Sequence, residues 1–184
     1  MLLDKRANVL IAIGDNSLVI PDSNPTGNID TNDNNNDNDI CKIITHFHNI
    51  ARIQCGFNHT LLLTRNNELY GFGSNACYEI SFDKKFSQLI TVPILMCSLH
   101  HQDTCHKIVI GCQNTFLICN GGEKIYVYGA DEFGQTSFQW GQKTKDRFEL
   151  LDQRPLASII GPHYKITDIL PLDYYSIIVT SRVK

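Results

Sequence analysis

Five thiol and imidazole side chains, Cys97, His100, His101, Cys105 and His106, fall within ten positions, a set of soft ligands able to hold a tetrahedral zinc ion. Their spacing lacks the paired short intervals of familiar zinc fingers, so the segment 97–106 is expected to be a polar loop holding no metal. The run Gly71-Phe72-Gly73-Ser74-Asn75-Ala76 has the glycine spacing that lets a backbone approach a pyrophosphate. No helical pattern begins there, and a strand is expected instead, with no cofactor. Asp30-Thr31-Asn32-Asp33-Asn34-Asn35 alternates oxygen ligands as calcium requires, but Asn35 stands at the sixth position in place of glycine and Cys41 at the twelfth in place of glutamate. His59 lies on an apolar run with no acid at a useful spacing, so it is read as a structural residue satisfying a neighbouring backbone group. Nucleophile-elbow, phosphate-loop and zinc-protease motifs are missing, and non-catalytic binding is the expectation.

The elements that must position these residues are short. In 184 residues, 42% are hydrophobic and 19% charged, a composition that can bury a core. The net charge of -3 gives no broad footprint for nucleic acid or an anionic membrane, and five of the 19 acids lie in the Asn/Asp-rich stretch 21–39. That stretch, within an insertion taken as 21–40, has too little apolar surface to offset its ordering entropy and is expected to be a disordered surface loop. Lys143, Lys145 and Arg147 form a small basic cluster tempered by Asp146, read as a solvated loop. No apolar run reaches the ~18 residues of a membrane span. Seven scattered cysteines and the lack of a signal-peptide pattern suggest reduced thiols in the cytoplasm or nucleus.

Elsewhere β-branched and aromatic runs alternate with Gly, Asn and Asp, which predicts strands. One hairpin joins Thr60–Thr64 to Leu69–Phe72 across Arg65-Asn66-Asn67-Glu68, and a second joins Thr115–Cys119 to Ile125–Tyr128 across Asn120-Gly121-Gly122-Glu123. They are copies. Cys55-Gly56-Phe57-Asn58-His59-Thr60 lies over Ile110-Gly111-Cys112-Gln113-Asn114-Thr115, and Tyr70-Gly71-Phe72-Gly73-Ser74-Asn75 over Tyr126-Val127-Tyr128-Gly129-Ala130-Asp131. Asn114 replaces His59, and Tyr78-Glu79 stands where Gly134-Gln135 stands, which is expected to weaken that tight turn in the first copy. Partial units flank the two: Val9–Asn16 matches the strand ending at Gly73 and Gly129, and Ile166–Ile169 with Tyr175–Thr180 matches the start of a unit. The units are placed at about 1–20, 41–96, 97–155 and 163–184.

The motif Cys-Gly-x-x-His-Thr followed by aromatic-x-aromatic-Gly and Gly-Gln resembles the regulator of chromosome condensation repeat. The resemblance implies an all-β, propeller-type fold of four-stranded blades, with about three units forming an incomplete ring. It assigns Gly56, His59, Thr60, Gly73, Asn75, Gly111, Thr115, Gly129, Gly134 and Gln135 to the repeat scaffold. Members of the resembled family serve as protein-interaction modules, and founding members promote nucleotide exchange on a Ran-type small GTPase and dock on chromatin. The partners implied are therefore a protein, whether a small GTPase or another propeller chain completing the ring.

Overall fold

The computed structural model describes residues 7–13, 41–86, 88–137, 144–172 and 174–183, with the backbone alone for 7–13, 41–48 and 91. The Asn/Asp-rich insertion, the Asp30 run and Lys143 lie outside the described residues.

The strands are β1 (Ala7–Ile13), β2 (Cys41–His48), β3 (Ile50–Cys55), β4 (His59–Thr64), β5 (Glu68–Ser74), β6 (Leu89–Ser98), β7 (Cys105–Ile110), β8 (Asn114–Cys119), β9 (Lys124–Gly129), β10 (Lys145–Leu150), β11 (Tyr164–Pro171) and β12 (Ser176–Arg182). A short helix, α1 (Arg154–Ile160), precedes β11. All sheets are antiparallel. Two have four strands in the orders β3-β4-β5-β6 and β7-β8-β9-β10, and two have only two strands, β1-β2 and β11-β12. Among the described residues the chain thus forms two four-stranded blades between two two-stranded sheets. The predicted hairpins are present, with Asn67 (φ 63°) and Gly121 (φ 66°) supplying the left-handed turn positions.

Sheet boundaries differ from those read from sequence. The first blade opens at Ile50, because Cys41–His48 pairs with β1. It closes at Ser98, because the strand preceding the second blade runs two residues past 96. The Asn-rich insertion obscured this pairing, since it falls within the connection from β1 to β2.

Period-2 alternation decides how blades stack. Leu61, Leu63 and Leu69 of the first blade pack against Leu99, Cys105, Ile108, Leu117 and Cys119. The alternate residues Phe116, Ile118, Ile125 and Val127 turn the other way, onto Ile166 and Ile169 of β11. The second blade therefore buries one face on the blade before it and one on the sheet after it. Removing a fully buried leucine such as Leu61 from water is worth roughly 1.5–3 kcal/mol, so these junctions dominate stability. Lys107 of β7 also pairs with Asp168 of β11 at 2.6 Å.

Candidate protein-interaction face

In an up-and-down sheet the loops from first to second strand and from third to fourth strand emerge at one end. Here that end carries, among the described residues, 56–58, 111–113, 172, 174 and 175 between inner strands, with 75–86, 88, 130–137 and 144 between outer strands. The residues singled out from the sequence lie in these loops and at the strand ends beside them.

The amide of Gly56 donates to the His59 carbonyl at 2.7 Å, and that of Gly111 to the Asn114 carbonyl at 2.8 Å. A side chain at Gly56 would strike Ile110 of the next blade at 2.8 Å, and one at Gly111 would strike Pro171 at 2.9 Å. Both glycines therefore let adjacent blades approach. Opposite them, His59 pairs with Gly73 and Asn114 with Gly129. His59 is buried, and burial lowers its pKa despite the opposing charge of Glu79, so the ring is neutral at pH 7. Its Nε2 finds no hydrogen-bond partner, and neither does Asn114 Oδ1. The side chain at this position therefore fills space beneath the turn, and the backbone bond expected of His59 is made by its carbonyl. Thr115 is buried, while Thr60 is half-buried with its hydroxyl 3.7 Å from Cys55 Sγ.

The outer loops are built alike in both blades. Asn75 Oδ1 accepts from the amides of Ile80 and Ser81 at 3.0 and 2.9 Å, and Asp131 Oδ1 accepts from Thr136 at 2.8 Å. Gln135 Oε1 accepts from the Phe133 amide at 2.8 Å, and Glu79 Oε2 accepts from the Cys77 amide at 2.9 Å. The first blade forms this turn without the glycine, the Tyr78 amide donating to the Asn75 carbonyl at 3.1 Å. Tyr78 takes the left-handed conformation of Gly134 (φ 61° against 75°), and its ring stacks on Phe82 at 5.0 Å, which offsets the strain. Because glutamine already performs this role at 135, Glu79→Gln should hold stability within about 0.5 kcal/mol, whereas Glu79→Ala should lose about 1 kcal/mol in urea unfolding.

On this framework the loop tips are aromatic and solvent-facing. Phe57 is 95% exposed, Tyr174 65% and Tyr175 59%. Phe133 lies edge-on to Tyr174 at 5.1 Å, and Ser176 Oγ donates to the Gln135 carbonyl at 2.9 Å, joining the outer loop of one blade to the inner loop of the next. The sequence reading passed over these aromatics, because their common signal is position on equivalent loops and only the repeat register reveals it.

The cysteine-histidine segment does not converge. Cys97 belongs to β6 and Cys105 and His106 to β7, while His100 and His101 stack on each other in the exposed loop between them. Burial pushes the Cys97 thiol up to about 12, which opposes the thiolate a metal needs. Among the described residues no three His, Cys, Asp or Glu side chains are gathered to hold an ion. The buried polar residue of this loop is Asp103, whose oxygens accept from Lys124 at 2.7 Å, Tyr126 at 2.5 Å and Asn120 at 3.0 Å. Its carbonyl accepts from Asn67 of the first blade at 2.9 Å. Gly71 lies inside β5 against Met96, Ile80 and Leu61, so its glycine serves packing. A groove of about 210 Å³ beside Arg52, Gln54, His106 and Lys107 is smaller than the ~300 Å³ at which small-molecule sites begin. Among the described residues no helix is long and apolar enough to cross a membrane.

Antiparallel four-stranded blades stacked through shared cores, with loops presented at one end, define a partial β-propeller. Within it, residues 50–79 match the regulator of chromosome condensation (RCC1) repeat. The chain is 32% identical over 82 residues to the protein RCC2 homolog of Xenopus laevis, covering 44% of this chain and 15% of that protein. It is 29% identical over 90 residues to the serine/threonine-protein kinase Nek9 of Mus musculus, covering 47% and 8%. In the crystal structure of Kap60 bound to yeast RCC1 (Prp20), a chain superimposes with TM-score 0.56 at 19% identity, over 76% of this chain and 32% of that one. The chain thus spans a small part of the length of the relatives it matches.

Proposed function

We propose that this chain is a non-catalytic protein-interaction module whose partner docks on the loop face bearing Phe57, Phe133, Tyr174 and Tyr175. The observation that carries this reading is the gathering of exposed aromatics on equivalent loops at one end of the stack. Large rigid rings supply contact area at low entropy cost and dominate binding energy where proteins meet. The fold supports it further: loops on a rigid scaffold can vary without cost to the core.

The likeness to RCC1 favours a second reading, exchange on a Ran-type small GTPase, which also works by binding, since an exchange factor holds the nucleotide-free partner more tightly than the loaded one. Affinity capture from lysate, with and without chelation of magnesium to empty GTPases, separates them. The module reading expects the same partner in both conditions and no acceleration of labelled guanine-nucleotide release. A GTPase recovered only after chelation, with faster release, would replace it by exchange. Replacing Phe57, Tyr174 and Tyr175 together by alanine should weaken capture at least tenfold while shifting stability by no more than about 0.5 kcal/mol per exposed site.

A further inference from the structure

Three thiols meet at the junction of the two four-stranded blades. Cys105 and Cys119 are buried in the core that β7 and β8 share with the first blade, and Cys97 of β6 packs against the same core. Strand register then singles out two of them, because Cys105 stands directly opposite Cys119 in the β7-β8 ladder. The Asn120 amide donates to the Thr104 carbonyl at 3.0 Å, so Thr104 and Asn120 form a hydrogen-bonded pair and the cysteines beside them a non-hydrogen-bonded one. Residues so placed have Cα atoms about 4.5 Å apart and side chains on one face, within the ~4.4–6.8 Å that a disulfide spans. The two thiols lie within hydrogen-bonding reach of each other. Cys97 belongs to a strand of the other blade, and no ladder pairs it with either.

The pair is chemically unequal. A hydrogen bond from Cys119 lowers the pKa of Cys105, and the Arg52 charge acts in the same direction against the opposing effect of burial. The same bond, with burial, raises that of Cys119. Arg52 is fixed by its Nε, which donates to the Cys105 carbonyl at 3.2 Å. It also lines the polar groove of about 210 Å³ that passes His106 and Lys107, so solvent reaches the chain immediately after Cys105. Cys105 is itself 6% exposed and Cys119 0%, which shuts out a bulky disulfide such as oxidised glutathione and restricts any oxidant to the size of hydrogen peroxide.

We propose that Cys105 and Cys119 are a peroxide-responsive dithiol that closes to a disulfide across β7 and β8. The Cys105 thiolate attacks one peroxide oxygen; the O–O bond breaks, a sulfenic acid forms on Cys105, and the departing hydroxide takes up the proton that Cys105 lost, giving water. The Cys119 sulfur then attacks the Cys105 sulfur; the S–S bond forms, the S–O bond breaks, and the hydroxide leaves as water with the Cys119 proton. Two thiols are oxidised by two electrons, and one peroxide is reduced to two waters. The link staples the β7-β8 hairpin at its open end, opposite the 111–113 turn, and restricts the unfolded chain, so oxidation stabilises the second blade. This inference concerns the interior of the blade and is independent of the partner-binding loops.

Hydrogen peroxide added to the whole folded chain tests it, with Cys55→Ser, Cys77→Ser and Cys112→Ser removing exposed thiols that would react in competition. Fragmentation mass spectrometry should assign a link between Cys105 and Cys119, the urea midpoint should rise on oxidation, and dithiothreitol should reverse both. This measurement leaves the three buried cysteines intact and does not depend on any core variant folding. Cys119→Ala should leave a sulfenic acid on Cys105 that dimedone traps, and Cys97→Ala should change neither the link nor the midpoint shift. A link from Cys97 to either partner, no link at all in the folded chain, or the same link formed as quickly in the urea-unfolded chain would overturn the proposal.

Discussion

Gly129→Val is expected to abolish cooperative folding of the second blade. Gly129 has φ 102°, a left-handed value, and a Cβ there would run into the Gln113 carbonyl oxygen and lie 2.8 Å from Asn114 Cα. Neither group can move aside: Asn114 is paired with Gly129 across β8 and β9, and the Gln113 carbonyl accepts from the Ala130 amide at 2.9 Å. Conformational strain of about 1–2 kcal/mol combines with a backbone overlap that only separation of the strands relieves. A loss above about 4 kcal/mol is expected, most of the stability of an ordinary domain. Gly73→Val should do the same in the first blade, where φ is 108° and Asn58 O lies 2.6 Å from the added carbon. Gly121 provides the control: it is also left-handed, but the nearest atom to an added Cβ is Lys165 Nζ at 3.8 Å, so Gly121→Ala should lose only about 1 kcal/mol. Urea unfolding of the three variants checks the ranking, and a Gly129→Val protein no weaker than Gly121→Ala would refute the geometry.

Asp103→Ala should be the most damaging loss of a polar side chain. Its buried carboxylate is held by Lys124, Tyr126 and Asn120 around one loop, and its backbone ties that loop to Asn67. Removing it leaves three donors without their acceptor, a cost of about 3 kcal/mol at pH 7. The hydrogen bond from Lys124, then that from Tyr126, holds the carboxyl at about 2, below the ~3.9 of an unfolded aspartate. Its stabilisation is therefore complete above the unfolded value and fades as pH falls from about 4 to 2. The difference between wild type and Asp103→Ala should shrink over that interval. Asp152, held by Arg154 in an exposed pair, should be replaceable by alanine with little change in stability. Equal losses at 103 and 152 would contradict the assignment.

Much of this architecture is legible in the sequence, and the rest is hidden for definable reasons. Strand alternation and the Asn-Asn and Gly-Gly turns expose both hairpins, and the offset of Gly56 from Gly111 exposes the repeat. Strand membership across the Asn-rich insertion is not legible, because pairing of β1 with β2 is non-local and the intervening sequence carries no periodicity. Tyr78 misleads because a left-handed tyrosine is uncommon; the following Glu79, able to accept the same backbone bond as Gln135, is the available clue. Asp103 is masked by its histidine and cysteine neighbours, which invite a metal reading. Its partners lie 17 to 36 positions away, at a turn and in strands whose proximity only the blade geometry creates. The aromatic face is hidden in the same way, since Phe57 and Tyr174 are remote in sequence and meet one surface through blade stacking.

The most direct test of the interaction face is amide hydrogen exchange of the chain with and without the partner recovered by capture. Protection confined to 56–58, 130–137 and 172–176 is the predicted result. Protection at the opposite end instead, over 65–67, 99–104 and 120–123, would place the partner on the other face and contradict the account.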